Sequence, residues 1–88
     1  MVKKSKDWFV YILECADNTL YTGVAMDVDK RLIEHNTDDK LAAKYTRVRR
    51  PLKLVYQESC VSRSTAMKRE CAIKRLSRKA KQALILSR

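Results

Sequence analysis

The run at residues 8–13, Trp-Phe-Val-Tyr-Ile-Leu, most limits how this chain can fold. An unbroken row of β-branched, aromatic and aliphatic side chains is typical of a strand that lies largely buried in a sheet. Residues 16–19 supply turn chemistry, and residues 20–24 form a second short run of strand type. We therefore expect the chain to open with a β-hairpin. Gly23, the only glycine, indicates a backbone that bends or is closely approached by another group.

Capping signals predict where the helices begin. Three helices are expected, each after a capping side chain: residues 28–36 after Asp27, a helix from Ser62 through residue 76, and residues 78–86 after Ser77. A polar and then basic loop is predicted for residues 38–51, where Pro51 closes it. Residues 52–58 follow as a third strand, because apolar and polar side chains alternate at its start.

The predicted order is strand, strand, helix, strand, helix, helix. This order is typical of an α+β (mixed α/β) fold, in which a small three-stranded sheet is flanked by helices. A length of 88 residues leaves room for one domain and a compact core. We therefore expect residues 1–88 to form a single domain with a polar leader at residues 1–7.

The charge balance gives the first indication of function. The chain carries 20 Lys and Arg against 10 Asp and Glu, a formal net charge of +10. A large positive charge attracts polyanions, and nucleic acid is the commonest polyanion in a cell. We therefore predict nucleic acid as the partner. A merely soluble basic protein, or one associated with the ribosome, is the alternative reading of the charge.

The cysteines and the apolar pattern argue against three other classes of protein. Cys15, Cys60 and Cys71 are widely spaced and form no Cys-x-x-Cys pair, so neither a zinc site nor a disulfide partner is expected. They are interpreted as reduced thiols that pack as small apolar core residues. No apolar run approaches the roughly 20 residues that cross a bilayer. We expect a cytoplasmic protein with no membrane partner.

Five residues are candidates for chemistry, and each has a structural alternative. Tyr11 and Tyr21 lie on adjacent predicted strands, where tyrosines usually serve packing. Glu70 falls on the arc of its helix near the apolar side, so it either pairs with an arginine or binds a hard metal ion such as Mg²⁺. Arg31 and His35 lie one turn apart on one flank of their helix. Arg31 is suited to phosphate but is ordinarily a solvated charge, and His35 is suited to proton transfer but is more often structural.

These residues occur in an order that resembles the GIY-YIG nuclease superfamily, in its small stand-alone bacterial branch of UPF0213 type. Six sequence elements carry the resemblance: Phe9-Val10-Tyr11, Tyr21-Thr22-Gly23, residues 30–36 with Arg31 and His35, residues 44–47 with residues 50–52, residues 62–70, and residues 73–77. The match extends over nearly the whole chain, from about residue 8 to residue 85. Phe9 stands where the name-giving motif has glycine, and Thr22 stands where it has isoleucine.

The resemblance implies hydrolysis of a phosphodiester bond with one divalent ion, Mg²⁺ or Mn²⁺. By position, Glu70 would hold the metal, and Arg31 would stabilise charge on the scissile phosphate. Tyr11 would act on the attacking water, Tyr21 would orient the water or the phosphate, and His35 would assist proton transfer. Nucleic-acid binding is predicted for the basic loop through Lys44, Tyr45, Arg47, Arg49 and Arg50.

Two hypotheses follow from the sequence. The first is a metal-dependent endonuclease that is structure-selective or non-specific and acts on DNA rather than RNA. The second is a nucleic-acid-binding module that keeps the nuclease fold but does not turn over substrate. The presence of all five candidate residues favours the enzyme, whereas Asp38 and Asp39, in a loop where relatives usually have glycines, favour the binding module because their charges repel phosphate.

Overall fold

The computed structural model describes residues 7–87, so residues 1–6 of the predicted polar leader lie outside the described part of the chain. The described residues form a three-stranded sheet and four helices, which confirms the α+β class. In chain order the elements are β1 (Trp8–Glu14), β2 (Leu20–Ala25), α1 (Val28–Thr37), α2 (Lys44–Arg47), β3 (Lys53–Cys60), α3 (Arg63–Lys74) and α4 (Arg78–Leu86).

The apolar run of the sequence forms the central strand. Strand β1 lies between β2 and β3 and pairs with both in the antiparallel sense. Its residues 10–13 are at most 1% exposed, because both edges and both faces of the strand are covered. The pairing with β3 shifts register between Ile12 and Leu13, where Ile12 lies opposite Tyr56 and Leu13 opposite Leu54. Strand β2 is left as one edge of the sheet.

Each face of the sheet carries a separate core. On one face, Val10 and Ile12 pack with Ala66 and Ile73 of α3, and α4 adds partly buried apolar side chains. On the opposite face, Leu13 packs with Val28 of α1. This division follows from the alternation of side chains along a strand. The sheet therefore has α3 and α4 on one side and α1 on the other.

The predicted capping residues act as expected. The side chains of Asp27, Ser62 and Ser77 accept hydrogen bonds from the backbone N–H groups of Lys30, Thr65 and Ala80, respectively. Helix α3 ends at Lys74 rather than at residue 76. Met67 of α3 is 44% exposed, because it borders a cavity rather than the core.

The loop predicted for residues 38–51 contains the short helix α2, which the sequence interpretation missed. The two aspartates of this loop are used within the fold. Asp38 accepts hydrogen bonds from the backbone of Lys40 and Leu41, and Asp39 forms an ion pair with Arg50 at 2.9 Å. Their charges are therefore directed at neighbouring protein groups. The Arg50-Pro51 peptide bond is cis.

The cysteines are only partly as predicted. All three are free thiols, and Cys15 and Cys60 are buried, where burial raises the pKa of each thiol. Cys71 is exposed on α3, so its assignment to the core was wrong. Among residues 7–87, no helix has the length and apolar character needed to cross a bilayer.

Candidate active site

Four of the five candidate residues line one cavity at the β2 edge of the sheet. This cavity, which we call the Glu70 cavity, has a volume of about 330 Å³. Tyr11, Tyr21, Arg31 and Glu70 come from β1, β2, α1 and α3, respectively. The remaining lining residues are Trp8, Gly23, Val24, Arg63 and Met67. Side chains from the sheet, from α1 on one face and from α3 on the other therefore meet at this edge.

The two tyrosines lie on the same face of the sheet. Tyr11 pairs with Gly23 across the strands, and Tyr21 is two residues before Gly23 on the same strand. The ring centroids of Tyr11 and Tyr21 are 6.5 Å apart. A Cβ atom at position 23 would lie 2.5 Å from Tyr11 Cζ, so the Tyr11 ring rests directly on the glycine backbone. This is the close approach that the single glycine indicated.

His35 lies behind Tyr11 and does not line the Glu70 cavity. It is fully buried, and its Nε2 atom is 2.9 Å from the Tyr11 hydroxyl. On the other side of the ring, Nδ1 is 2.8 Å from Thr46 Oγ1, and Thr46 in turn donates to the Ala43 carbonyl at 2.9 Å. His35 is therefore the middle of a buried chain of polar groups that joins β1, α1 and α2.

The hydrogen bonds of Thr46 assign the tautomer of His35. Because the Thr46 hydroxyl gives its one hydrogen to Ala43, it accepts from His35 Nδ1–H, and Nε2 accepts from the Tyr11 hydroxyl. The Ala43 amide also approaches Nδ1, at 3.4 Å, which would favour the opposite tautomer. That contact is at the limit of a hydrogen bond, so the two shorter bonds decide the assignment.

Burial sets the protonation of this pair. It lowers the pKa of His35 to about 4, and the nearby positive charge of Arg31 adds to the effect. Burial, followed by the neighbouring Tyr21, raises the pKa of Tyr11 to about 12. At neutral pH, His35 is a neutral acceptor and Tyr11 keeps its proton. In this state the Nε2 atom of His35 accepts the hydrogen bond of the Tyr11 hydroxyl and fixes the direction of its hydrogen.

Arg31 is held in place at the cavity wall. Its Nη1 atom donates to Glu34 Oε1 at 3.1 Å and to the Leu41 carbonyl at 2.7 Å. Burial opposes the charge of Arg31, but the hydrogen bond to Glu34 and the neighbouring Tyr11 outweigh it, so the pKa of the guanidinium is raised. Since both of these bonds use one nitrogen, the fork of Arg31 keeps further donors for an oxyanion.

Glu70 contributes a partly shielded carboxylate. Its side chain is 20% exposed, and its Oε2 atom lies 3.2 Å from Lys74 Nζ one turn later on α3. The expected structural partner was an arginine, so the observed lysine corrects that reading. Among residues 7–87, no group of three or more His, Cys, Asp and Glu could enclose a metal ion. A single carboxylate beside an open cavity still fits Mg²⁺, which commonly takes one or two protein carboxylates and keeps several waters.

The basic loop is folded back on the protein. The Tyr45 ring stacks on Tyr21 with centroids 6.0 Å apart, and the Arg49 guanidinium lies 3.8 Å from the Tyr45 ring centroid. Arg49 also pairs with Asp17 at 3.1 Å. Lys44 is exposed, and Arg47 is exposed apart from a hydrogen bond to the Asp39 carbonyl.

Arg50 differs from the other residues of the loop. Its Nε atom donates to the His35 carbonyl at 2.8 Å, its Nη1 atom pairs with Asp39, and its Nη2 atom is buried. Arg50 is therefore turned inward, toward the end of α1 that carries His35.

Comparison with known proteins identifies the family. Residues 7–83 match the family described as the GIY-YIG catalytic domain. This chain belongs to the GIY-YIG family. The resemblance inferred from the six sequence elements is thereby confirmed, and membership supports a nuclease-type function.

GIY-YIG relatives of similar size cover most of the chain. A UPF0213 protein of Desulfotalea psychrophila is 55% identical over 89% of this chain and 70% of its own length. A UPF0213 protein of Staphylococcus saprophyticus is 51% identical over 88% of this chain and 92% of its own length.

Two solved structures have a similar fold. A solution NMR structure of a UPF0213 protein from Bacillus halodurans has 41% identity and a TM-score of 0.60, covering 94% of this chain and 86% of its own. The solution NMR structure of a protein from E. faecalis has 34% identity and a TM-score of 0.64, covering 98% of this chain and 90% of its own.

Two residues around the candidate site were missed by the sequence interpretation. Lys74 follows Glu70 by four residues on a helix, a spacing that predicts their ion pair. Thr46 stands inside the motif at residues 44–47, but nothing local connects it to His35, which is 11 residues earlier.

Proposed function

We propose that this protein is an endonuclease that hydrolyses phosphodiester bonds in nucleic acid, with DNA as the preferred substrate. The observation that carries the proposal is the Glu70 cavity, in which Arg31, Glu70 and two tyrosines meet. The net charge of +10 supports a polyanionic substrate. We assign the activity to the cytoplasm, where free thiols such as the three in this chain persist.

Arg31 binds the scissile phosphate in this proposal. Hydrolysis adds a water oxygen to phosphorus and breaks one P–O bond, so negative charge accumulates on the phosphoryl oxygens. A guanidinium already fixed by Glu34 and the Leu41 carbonyl stabilises that charge with little reorganisation. The fork of donors also fixes the orientation of the phosphate.

Glu70 is the residue that would hold one divalent ion, Mg²⁺ or Mn²⁺. When bound, such an ion supplies positive charge that stabilises the oxygens of the phosphate. Lys74 forms an ion pair with the Glu70 carboxylate at 3.2 Å, and its side chain is 54% exposed, so it is free to turn away when another cation takes its place.

Tyr11 orients the attacking water. Its hydroxyl hydrogen points to His35 Nε2, so the lone pairs of the oxygen remain to accept a hydrogen bond from a water in the cavity. The raised pKa of Tyr11, about 12, makes it a poor base until positive charge arrives nearby. Tyr21, beside Tyr11 in the cavity wall, packs against the His35 ring with centroids 5.3 Å apart and would orient the water or the phosphate.

One observation favours the alternative, a nucleic-acid-binding module without turnover. The Glu70–Lys74 ion pair neutralises the carboxylate without any metal, so the charge of Glu70 needs no bound cation to balance it. In that case the same basic surface would bind nucleic acid and leave it intact.

The test combines a substrate panel with one substitution. Wild-type protein is incubated with labelled linear, single-stranded, flapped and branched DNA and RNA, in Mg²⁺, Mn²⁺ or EDTA. Glu70→Gln preserves shape but removes the charge that attracts a cation, so metal-dependent cleavage should fall by at least about 10²-fold, the scale of one lost transition-state electrostatic element. Metal-free binding should persist or tighten.

Glu14→Gln is the matched control. Glu14 lines a different cavity, so this variant should cleave like the wild type. If the wild-type protein binds every substrate of the panel and cuts none of them, the endonuclease proposal is wrong and the binding module is the better description. If Glu70→Gln lowers only thermal stability, Glu70 has no role beyond its pair with Lys74.

A further inference from the structure

A second cavity adjoins the Glu70 cavity along the same sheet edge. This cavity, which we call the Lys81 cavity, has a volume of about 280 Å³ and is lined by Leu20, Tyr21, Thr22, Tyr45, Lys74 and Lys81. Its charged lining residues are two lysines, one from α3 and one from α4. No acidic side chain of residues 7–87 lines it. Its composition suits an anion.

Two residues connect the cavities. Tyr21 lines both of them, and Lys74 of the Lys81 cavity contacts Glu70 of the other at 3.2 Å. A group bound in the Lys81 cavity therefore lies next to one bound in the Glu70 cavity. Because the phosphates of a nucleic-acid strand recur along its backbone, a strand in one cavity continues naturally into the other.

One residue that lines the Lys81 cavity has a buried hydroxyl without a partner. Thr22 is 3% exposed, and within the described part of the chain its Oγ1 atom has no hydrogen-bond partner. A buried hydroxyl without a partner costs free energy, so such groups are uncommon in folded proteins. A ligand oxygen in the cavity would satisfy it. This observation is independent of the lysines and indicates that the cavity receives a polar group.

We propose that the Lys81 cavity binds a second phosphodiester group of the substrate strand, next to the scissile one. Lys74 and Lys81 neutralise its charge, and the Thr22 hydroxyl donates a hydrogen bond to a phosphate oxygen. The Tyr21 and Tyr45 rings and Leu20 supply the apolar wall that a sugar contacts. Lys74 thus serves both cavities, since a cation at Glu70 frees it for this phosphate. The inference rests on the proposed function for the identity of the strand.

The first test compares two lysines of the same helix. Lys81→Gln removes a charge from the cavity, whereas Lys79→Gln removes one from an exposed position of α4 that lines neither cavity. Binding of a labelled DNA oligonucleotide is measured without metal as a function of salt. Lys81→Gln should weaken binding several-fold and reduce the slope of log K against log salt by about 0.7 to 0.9, the value for one phosphate. Lys79→Gln should change both quantities much less.

The second test removes only the Thr22 hydroxyl. Thr22→Val keeps the size and the branched shape of the side chain. It should weaken oligonucleotide binding about three- to tenfold, the scale of one hydrogen bond. It should also leave thermal stability unchanged or raise it, because the hydroxyl is unpaired in the free protein. A hydroxyl that served the fold would give the reverse pattern, with lower stability and unchanged affinity.

The outcomes separate this inference from the proposed function. Equal effects of Lys81→Gln and Lys79→Gln, or wild-type affinity of Thr22→Val, would overturn the phosphate site even if Glu70-dependent cleavage is observed. If Lys81→Gln and Thr22→Val selectively weaken binding but the wild type does not cleave, the phosphate-site proposal stands and the endonuclease proposal is wrong. When cleavage is present, both variants should raise KM more than they lower kcat.

Discussion

The Tyr11 hydroxyl donates to His35 Nε2 at 2.9 Å, in a hydrogen bond closed to solvent that joins the central strand to helix α1. The bond fixes which way the phenol hydrogen points, and so which lone pairs face the Glu70 cavity. It also makes two residues on different elements depend on each other for hydrogen bonding.

Removing the Tyr11 hydroxyl should affect activity and stability together. Tyr11→Phe keeps the ring but leaves His35 Nε2 buried without a donor, so the free energy of unfolding should fall by about 1–3 kcal/mol. Cleavage per folded molecule should fall by about 10²-fold, because the water loses its acceptor. Tyr56→Phe is the control, since the Tyr56 hydroxyl bonds to Glu58 on β3 and not to any group of the Glu70 cavity. If Tyr11→Phe and Tyr56→Phe cleave at the same rate per folded molecule, the Tyr11 hydroxyl has no role in catalysis.

The buried His35 should make stability depend on pH in a defined window. Its pKa is about 4 in the fold and 6.5 in a model peptide, so protonation favours the unfolded chain. The contribution of neutral His35 is fully present above pH 6.5 and is lost as pH falls from 6.5 toward 4, at roughly 1 kcal/mol per pH unit. His35→Gln cannot titrate there. Denaturant unfolding of both proteins across this window should show the steeper loss only in the wild type.

A methyl group at position 23 should push on Tyr11. Gly23→Ala places a Cβ atom 2.5 Å from Cζ of a ring whose hydroxyl is hydrogen-bonded to His35, so the ring must shift and that bond must weaken. Such overpacking costs about 1–3 kcal/mol, which denaturant titration measures. The double variant with Tyr11→Leu leaves room for the methyl group and should be more stable than the sum of the single losses predicts. Additive losses would show that the ring is not the obstacle.

Two arginines of the basic loop should differ in effect, one on stability and the other on oligonucleotide binding. Arg50→Ala removes the bonds to the His35 carbonyl and Asp39, so unfolding free energy should fall by about 1–3 kcal/mol. Arg47→Ala, at an exposed position with one backbone contact, should weaken oligonucleotide binding and change stability little. Thermal unfolding and metal-free binding of the two variants provide the comparison. If Arg50→Ala kept full stability and lost only affinity, Arg50 would be a substrate contact.

Local chemistry was enough to predict most of the fold. The strand at residues 8–13 and the three helix caps follow from side-chain types alone, and each is observed at its predicted place. Strand ends were harder to predict, because they depend on pairing. Cys60 belongs to β3 because Trp8 lies opposite it, whereas Leu52 lies before β3 and gives its N–H to Asn36 Oδ1 at 2.8 Å.

The contacts that sequence reasoning missed are long in range or weak in signal. Helix α2 has four residues and no side-chain cap, so nothing in its own sequence predicts it. The inward turn of Arg50 depends on His35, which is 15 residues earlier. The burial that lowers the pKa of His35 is likewise a property of the assembled fold. The residue types of the site were predictable from the sequence, but their protonation and their division into surface and interior were not.

The position of the Glu70 cavity, between helices on opposite faces of the sheet, has a consequence for protein synthesis. Tyr11, Tyr21 and Arg31 leave the ribosome well before Glu70, and Glu70 reaches them only once α3 has docked on the sheet. A nascent or truncated chain that ends before α3 therefore has aromatic rings and a guanidinium but no carboxylate beside them. Any chemistry that needs the complete cavity begins only after α3 has been synthesised and has docked on the sheet, and it ceases when α3 detaches.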